Sequence, residues 1–152
     1  MSLSSKRLKK EVEELKNSPK EGITLNSVND DLYCWNASIK GPEGSPYENG
    51  EFHLDIDIPE DYPFEAPRLL FKTNIKHLNF SDHGEIVCNF LGDNWTPHES
   101  LTKALQKLRE LMIKPDVQNP SDKQLLELHK SSPGDYDRDI REWTKKYAMN
   151  QS

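Results

Sequence analysis

Little in this sequence suits a disulfide scaffold, a membrane span or a nucleic-acid surface. There are two cysteines in 152 residues, too few for a stapled framework and not demanding one disulfide. No apolar run reaches membrane-spanning length, and no leader with an apolar core precedes the domain. Basic residues are outnumbered, Lys+Arg 20 against Asp+Glu 26, for a net charge of −6 and a pI near 5.4. General nucleic-acid binding wants the opposite balance. No internal repeat or low-complexity segment is visible. The length suits one domain over residues 1–152 with a proper core. The expectation is a cytoplasmic and/or nuclear protein with reduced thiols, no cofactor, and neither nucleic acid nor membrane among its partners.

What is present is strong periodicity. Leu8, Val12 and Leu15 predict a helix over 5–17, with Ser4 or Ser5 as its cap. The basic residues Lys6, Arg7, Lys9 and Lys10 lie off that stripe. They form either a solvated face or a docking site for an acidic partner. Strands follow at 23–28, 32–39, 51–58 and 68–72, and in the third Phe52, Leu54, Ile56 and Ile58 alternate with polar residues. Asn49-Gly50 marks a tight turn, and the loop 59–67 is stiffened by three prolines. Four strands joined in succession predict an antiparallel meander.

Beyond residue 100 the pattern is helical. Leu101, Leu105, Leu108 and Met112 predict a helix over 101–113, capped by Thr96 with Glu99 or by Ser100. A short helix near 123–130 precedes a last one opened by Ser132-Pro133-Gly134-Asp135, with Tyr136, Ile140, Trp143 and Tyr147 as its apolar stripe.

Between the sheet and these helices runs His77 to Pro97, long and irregular yet rich in apolar residues. It holds Cys88, with His77, His83 and Asn79 nearby in sequence. Three chemistries fit the residue types. Cys88 with a histidine would make a hydrolase dyad. His77, His83 and Cys88 would contribute to a zinc site, although the spacing fits no strong zinc pattern and no fourth ligand is evident. Cys88 would also serve as an acyl carrier, its thiolate the nucleophile and Asn79 an amide donor for the developing oxyanion. Against all three stands a plain reading, a small buried cysteine and a turn asparagine.

Spaced landmarks narrow the choice. Gly41-Pro42, Tyr47, Gly50, Tyr62-Pro63-Phe64 with Ala66-Pro67, His77-x-Asn79, Gly84, Trp95-x-Pro97 and Arg141 through Met149 occur in one order along the chain. In this the chain resembles the ubiquitin-conjugating enzyme family over almost its whole length. The resemblance implies an α+β fold: an N-terminal helix, a four-stranded antiparallel meander, then three helices. It implies a carrier of ubiquitin or a ubiquitin-like modifier, held as a cysteine thioester and passed to a substrate lysine or a ligase. An activating enzyme, a ubiquitin ligase and the modifier are the implied partners. By the same resemblance His77 is structural and Asn79 stabilises the oxyanion or orders the nearby loop. Lys6, Arg7 and Lys10 face the activating enzyme, and Pro63, Phe64, Thr96 and Pro97 face the ligase. The outer strand face of His53, Asp55 and Asp57 matches a surface on which some relatives hold a second modifier.

Three departures fall within the site. Leu78 replaces the motif's proline, which implies a looser turn with an extra amide. Asn119 stands where the family has an acidic residue that prepares the incoming lysine. Cys88 falls one residue late: an ungapped match from Asn79 to Trp95 puts Val87 at the nucleophile position and Cys88 on the packing side. A gapped match, with one residue inserted before Cys88 and one lost after it, makes Cys88 the acceptor. If no residue is skipped directly after the cysteine, Asn89 falls at a packed apolar position, at a cost of about 1–3 kcal/mol unless its amide is partnered. A catalytically inactive family variant that binds modifier or ligase therefore stands beside the carrier as the alternative.

Overall fold

A computed structural model describes residues 3–29, 31–86, 89–92, 94–118 and 120–149, with only the backbone described at Asn89. Helix α1 (Leu3–Asn17) leads into strands β1 (Ile23–Val28), β2 (Asp31–Lys40), β3 (Glu51–Asp57) and β4 (Arg68–Phe71). A single 3-10 turn (Asn89–Leu91) precedes helices α2 (Leu101–Ile113), α3 (Lys123–Ser131) and α4 (Pro133–Tyr147). The strands pair in sequence order, antiparallel throughout, as the strand-and-turn pattern predicts. Among the described residues no helix is long and apolar enough to cross a membrane.

The sheet owes its sidedness to alternation. Trp35, Ala37 and Ile39 on β2 and Phe52, Leu54 and Ile56 on β3 are buried, while Asn36, His53 and Asp57 between them are exposed. Ser38 breaks the pattern. It is buried on the polar side, where its hydroxyl shares a 2.5 Å bond with that of Thr24 across the β1–β2 pair. Cys34 is half-buried and forms no disulfide; its thiol lies 3.8 Å from an Asp57 carboxylate oxygen. Partial burial and the carboxylates of Asp31 and Asp57 push that thiol above its ordinary range.

Helix α2 supplies the other half of the core, with Leu101, Leu105, Leu108 and Met112 essentially inaccessible. Each such side chain contributes roughly 1.5–3 kcal/mol by leaving water. Ser100 is the cap, extended in backbone and accepting the Lys103 amide at 3.1 Å. Thr96 is not: its carbonyl accepts the Glu99 amide, which closes a turn before the helix starts. Asp122 caps α3 through the Leu125 amide.

Two expectations change at the ends of the chain. Ser4 and Ser5 do not cap α1 but lie within it, buried, with the Ser4 hydroxyl 2.7 Å from that of Tyr33. Docking against the sheet outweighs their preference for a cap. On α4 the inward face is Tyr136, Ile140 and Thr144, and the end of the helix meets the chain at the start of β3. A Cβ on Gly50 would stand 2.6 Å from the Thr144 methyl, and the Glu51 amide donates to Ala148. Trp143 is consequently half-buried and Tyr147 exposed.

The irregular stretch is fastened to the open edge of β4. The Phe71 amide donates to the Gly84 carbonyl, and Leu70 bridges to Glu85. Gly84 has φ +87°, and a Cβ there would sit 2.2 Å from the Phe71 carbonyl oxygen, so no other residue fits this approach.

Candidate functional site

The turn from His77 to Phe80 is built as a cross-link. His77 is buried between the rings of Tyr47 and Phe80, whose centroids lie 5.6 and 4.1 Å away. Its Nδ1 accepts the Asn79 amide at 2.9 Å, so Nε2 carries the proton and donates to the Leu111 carbonyl at 2.6 Å. Burial pushes the imidazole down to about 4, the Leu111 bond opposing it, and the ring is neutral near pH 7. With both nitrogens engaged, His77 is neither a general base nor a zinc ligand. The structural role suits it.

Asn79 is fully buried as well. Its Nδ2 donates to the Asp116 carbonyl at 2.8 Å, and its Oδ1 accepts the Asp116 amide at 2.9 Å. That pair of bonds closes the loop between α2 and α3 onto the turn, much as a strand partner would. Leu78 does not leave the turn loose. Its side chain is completely buried, and its carbonyl accepts the Ser121 amide at 2.6 Å. Burying that side chain contributes about 1.5–3 kcal/mol, which offsets the stiffness a proline would bring.

His83 stands exposed on the Ser81–Gly84 turn. Val87, Cys88 and Asn119 lie outside the described residues, so the nucleophile position and the acidic-residue position have no geometry here. On the C-terminal side of Cys88, Phe90 and Leu91 pack partly buried against the core with Trp95. The ungapped match to the family places those two residues at apolar positions, in keeping with their partial burial.

The two candidate docking surfaces share one scaffold. Lys6 and Lys10 are exposed on α1, but Arg7 is turned inward. Its guanidinium donates to the Pro97 carbonyl at 3.0 Å and the Glu99 carbonyl at 2.6 Å, and pairs with Glu11 at 3.2 Å. Phe64 is 66% exposed, an unusual position for a phenylalanine, and Thr96 and Pro97 are exposed too. Pro63 is buried, and its carbonyl accepts the Trp95 indole N–H at 2.8 Å. That bond ties the 59–67 loop to the Trp95 loop beside the exposed Phe64.

Behind these loops lies a junction that periodicity does not reveal. Glu11 is buried, accepts the Tyr62 hydroxyl at 2.5 Å and accepts the Leu101 amide at 2.7 Å. Burial outweighs these donors and Arg7, and holds the carboxyl above its ordinary value. Burial, then Glu11, also keeps the Tyr62 phenol far from ionising. The available signal is Glu11 itself, an acid three residues after Leu8 on the buried side of α1.

Comparison with known proteins agrees with this geometry. The family model for ubiquitin-conjugating enzymes matches residues 7–144. A Dictyostelium discoideum protein named ubiquitin conjugating enzyme E2 B is 36% identical over 143 residues, covering 94% of this chain and 97% of that one. A Plasmodium yoelii crystal structure assigned to the ubiquitin conjugating enzymes superposes with a TM-score of 0.90 at 32% identity, covering 99% of this chain and 98% of that one. The E2 domain of a Toxoplasma gondii ubiquitin conjugating enzyme superposes at 0.86 and 31% identity, covering 95% and 98%. With its fold, its His77–Asn79 turn and relatives above 30% identity along nearly its whole length, the chain belongs to the ubiquitin-conjugating enzyme family.

Proposed function

We propose that the protein carries ubiquitin or a ubiquitin-like modifier as a thioester on Cys88 and delivers it to a substrate lysine or to a ligase. The Cys88 thiolate attacks the thioester carbonyl presented by the activating enzyme, whose own cysteine leaves as the thiolate. A lysine amine, or a ligase thiol, then attacks the same carbonyl and the C–S bond to Cys88 breaks. The observation that supports the reading is the buried His77–Asn79 cross-link, which ties the turn at the start of the irregular stretch to α2 and to the α2–α3 loop. Exposed Lys6 and Lys10 suit an acidic face on the activating enzyme, and exposed Phe64 with Thr96 and Pro97 suits a ligase. Asn119 would orient the acceptor amine without taking its charge. A thiol carrier of this kind works where thiols stay reduced, in the cytoplasm and nucleus.

The second reading is an inactive variant that keeps the docking surfaces, favoured by the ungapped register that sets Val87 at the nucleophile position. One assay separates them. The protein is incubated with activating enzyme, ATP and ubiquitin, or a related modifier, and run on a non-reducing gel. The carrier gives a reductant-sensitive adduct that Cys88→Ala abolishes and Cys34→Ala leaves. No adduct with any modifier refutes the carrier and leaves the binding module.

A further inference from the structure

We propose that Lys107 is a positioning residue for the segment that carries Cys88, a role that rests on Cys88 being the acceptor. The 3-10 turn Asn89–Leu91 begins one residue after Cys88, with Phe90 and Leu91 packed partly buried against the core. Lys107, on α2, places its ammonium 5.4 Å from the centroid of the Phe90 ring. The same ammonium is 3.1 Å from an Glu99 carboxylate oxygen. One cation therefore joins the turn after Cys88 to the loop that ends in Glu99.

That loop is itself held from both sides. Arg7 on α1 donates to the Glu99 carbonyl at 2.6 Å and the Pro97 carbonyl at 3.0 Å. Lys103, one turn of α2 before Lys107, donates to the His98 carbonyl at 3.3 Å. With the backbone of Glu99 fixed, its carboxylate becomes a rigid post for Lys107, which lowers the entropy lost in holding a long flexible side chain over the ring. An isolated exposed ion pair is worth little. Here Glu99 is 23% exposed and Lys107 40%, and the ammonium has two partners at once, the carboxylate and the Phe90 ring. Removing the charge frees Phe90, and with it the backbone that follows Cys88.

Three variants test this in the full chain. Lys107→Met keeps the unbranched apolar stem over Phe90 and removes the charge. Lys107→Arg restores a cation that suits both an aromatic face and a carboxylate. Glu99→Gln leaves the cation and weakens its post. Hydrogen exchange of the Asn89–Leu91 amides is expected to rise about three- to tenfold in Lys107→Met, the range a cation over a ring supports. Lys107→Arg should return it to the wild-type value, with Glu99→Gln in between. Single-turnover discharge of the Cys88 thioester to free lysine should slow by a similar factor in Lys107→Met, in the maximal rate rather than in the lysine concentration giving half of it.

Unchanged exchange in Lys107→Met, or a rise spread equally over α2 and the sheet, overturns the positioning role. So does a discharge rate that Lys107→Arg fails to rescue. If wild type charges normally and Lys107→Met discharges like it, only the positioning role falls. If wild type forms no adduct at all, the carrier reading falls and takes this role with it.

Discussion

Replacing Glu11 by alanine should destabilise the protein by about 3 kcal/mol, and the figure follows from what each partner loses. The carboxylate accepts from the Tyr62 hydroxyl, from the Leu101 amide and from Arg7 in a buried site. A hydrogen bond to a charged group is worth about 1.5–3 kcal/mol, and breaking a fully buried ion pair costs about 3–5 kcal/mol. Neither limit applies whole. The Leu101 amide keeps a 3.1 Å contact with the Tyr62 oxygen, and Arg7 is 27% exposed with two carbonyls still to hold. The Tyr62 hydroxyl alone loses its acceptor outright. At about 2–4 °C per kcal/mol for a domain of this size, the melting temperature should fall by about 6–12 °C.

The assay is urea and thermal unfolding of wild type, Glu11→Ala, Tyr62→Phe and the double variant. Tyr62→Phe should cost about 1–2 kcal/mol, and the cycle should show a coupling of at least about 1 kcal/mol. The pH dependence provides a second test. Burial raises the Glu11 carboxyl, so the folded state holds that proton more tightly than the unfolded chain. This contribution is present in full below the ordinary value of 4.5 and is lost as pH rises through the folded value. Glu11→Gln, neutral at every pH, should therefore be milder than Glu11→Ala and should flatten the profile there. A loss under about 1 kcal/mol in Glu11→Ala, or strictly additive variants, would refute the claim that this junction holds α1, the 59–67 loop and α2 together.

Two further outcomes are expected. The His77 imidazole is pushed down to about 4, below its ordinary 6.5, so the unfolded chain takes up the proton first. Stability from His77 is present above about pH 6.5 and fades toward pH 4, by about 3–3.5 kcal/mol in all; His77→Gln should lose that slope, and an unchanged profile in acid urea titrations would contradict the assignment. Phe64→Ala removes an exposed ring and should change unfolding free energy by no more than about 0.5 kcal/mol. Ligase-stimulated discharge should drop about tenfold or more, as for the loss of an aromatic anchor, and unaltered stimulation would take Phe64 out of the ligase surface.

Much of the architecture can be read from the chain alone, because side-chain periodicity is a local property. Alternation in residues 51–58 marks β3, the four-residue spacing of leucines marks α2, and Ser100 stands where a cap belongs. The spaced landmarks identified the family, and His77 with Asn79 marked the turn. Contacts between distant elements lie beyond that reach. Nothing in residues 3–17 announces that Ser4 meets Tyr33 or that Arg7 turns away from solvent to grip Pro97 and Glu99. On α4 Tyr136 and Ile140 turn inward as their spacing predicts, but the close approach at Gly50 brings Thr144 inward in place of Trp143 and Tyr147.

The sequence by itself determined the helices, the strand order, the family and the positions at which chemistry is to be sought. Only the tertiary structure decided that His77 bonds to Leu111, that Asn79 bonds to Asp116, and that the Trp95 indole donates to the Pro63 carbonyl. It alone showed that Glu11 and Lys107 join the loops around the site. The physical reason is range. Periodicity, capping and turn chemistry act within a few residues, whereas a buried polar group acquires its role from a partner that the chain brings back from thirty to ninety residues away.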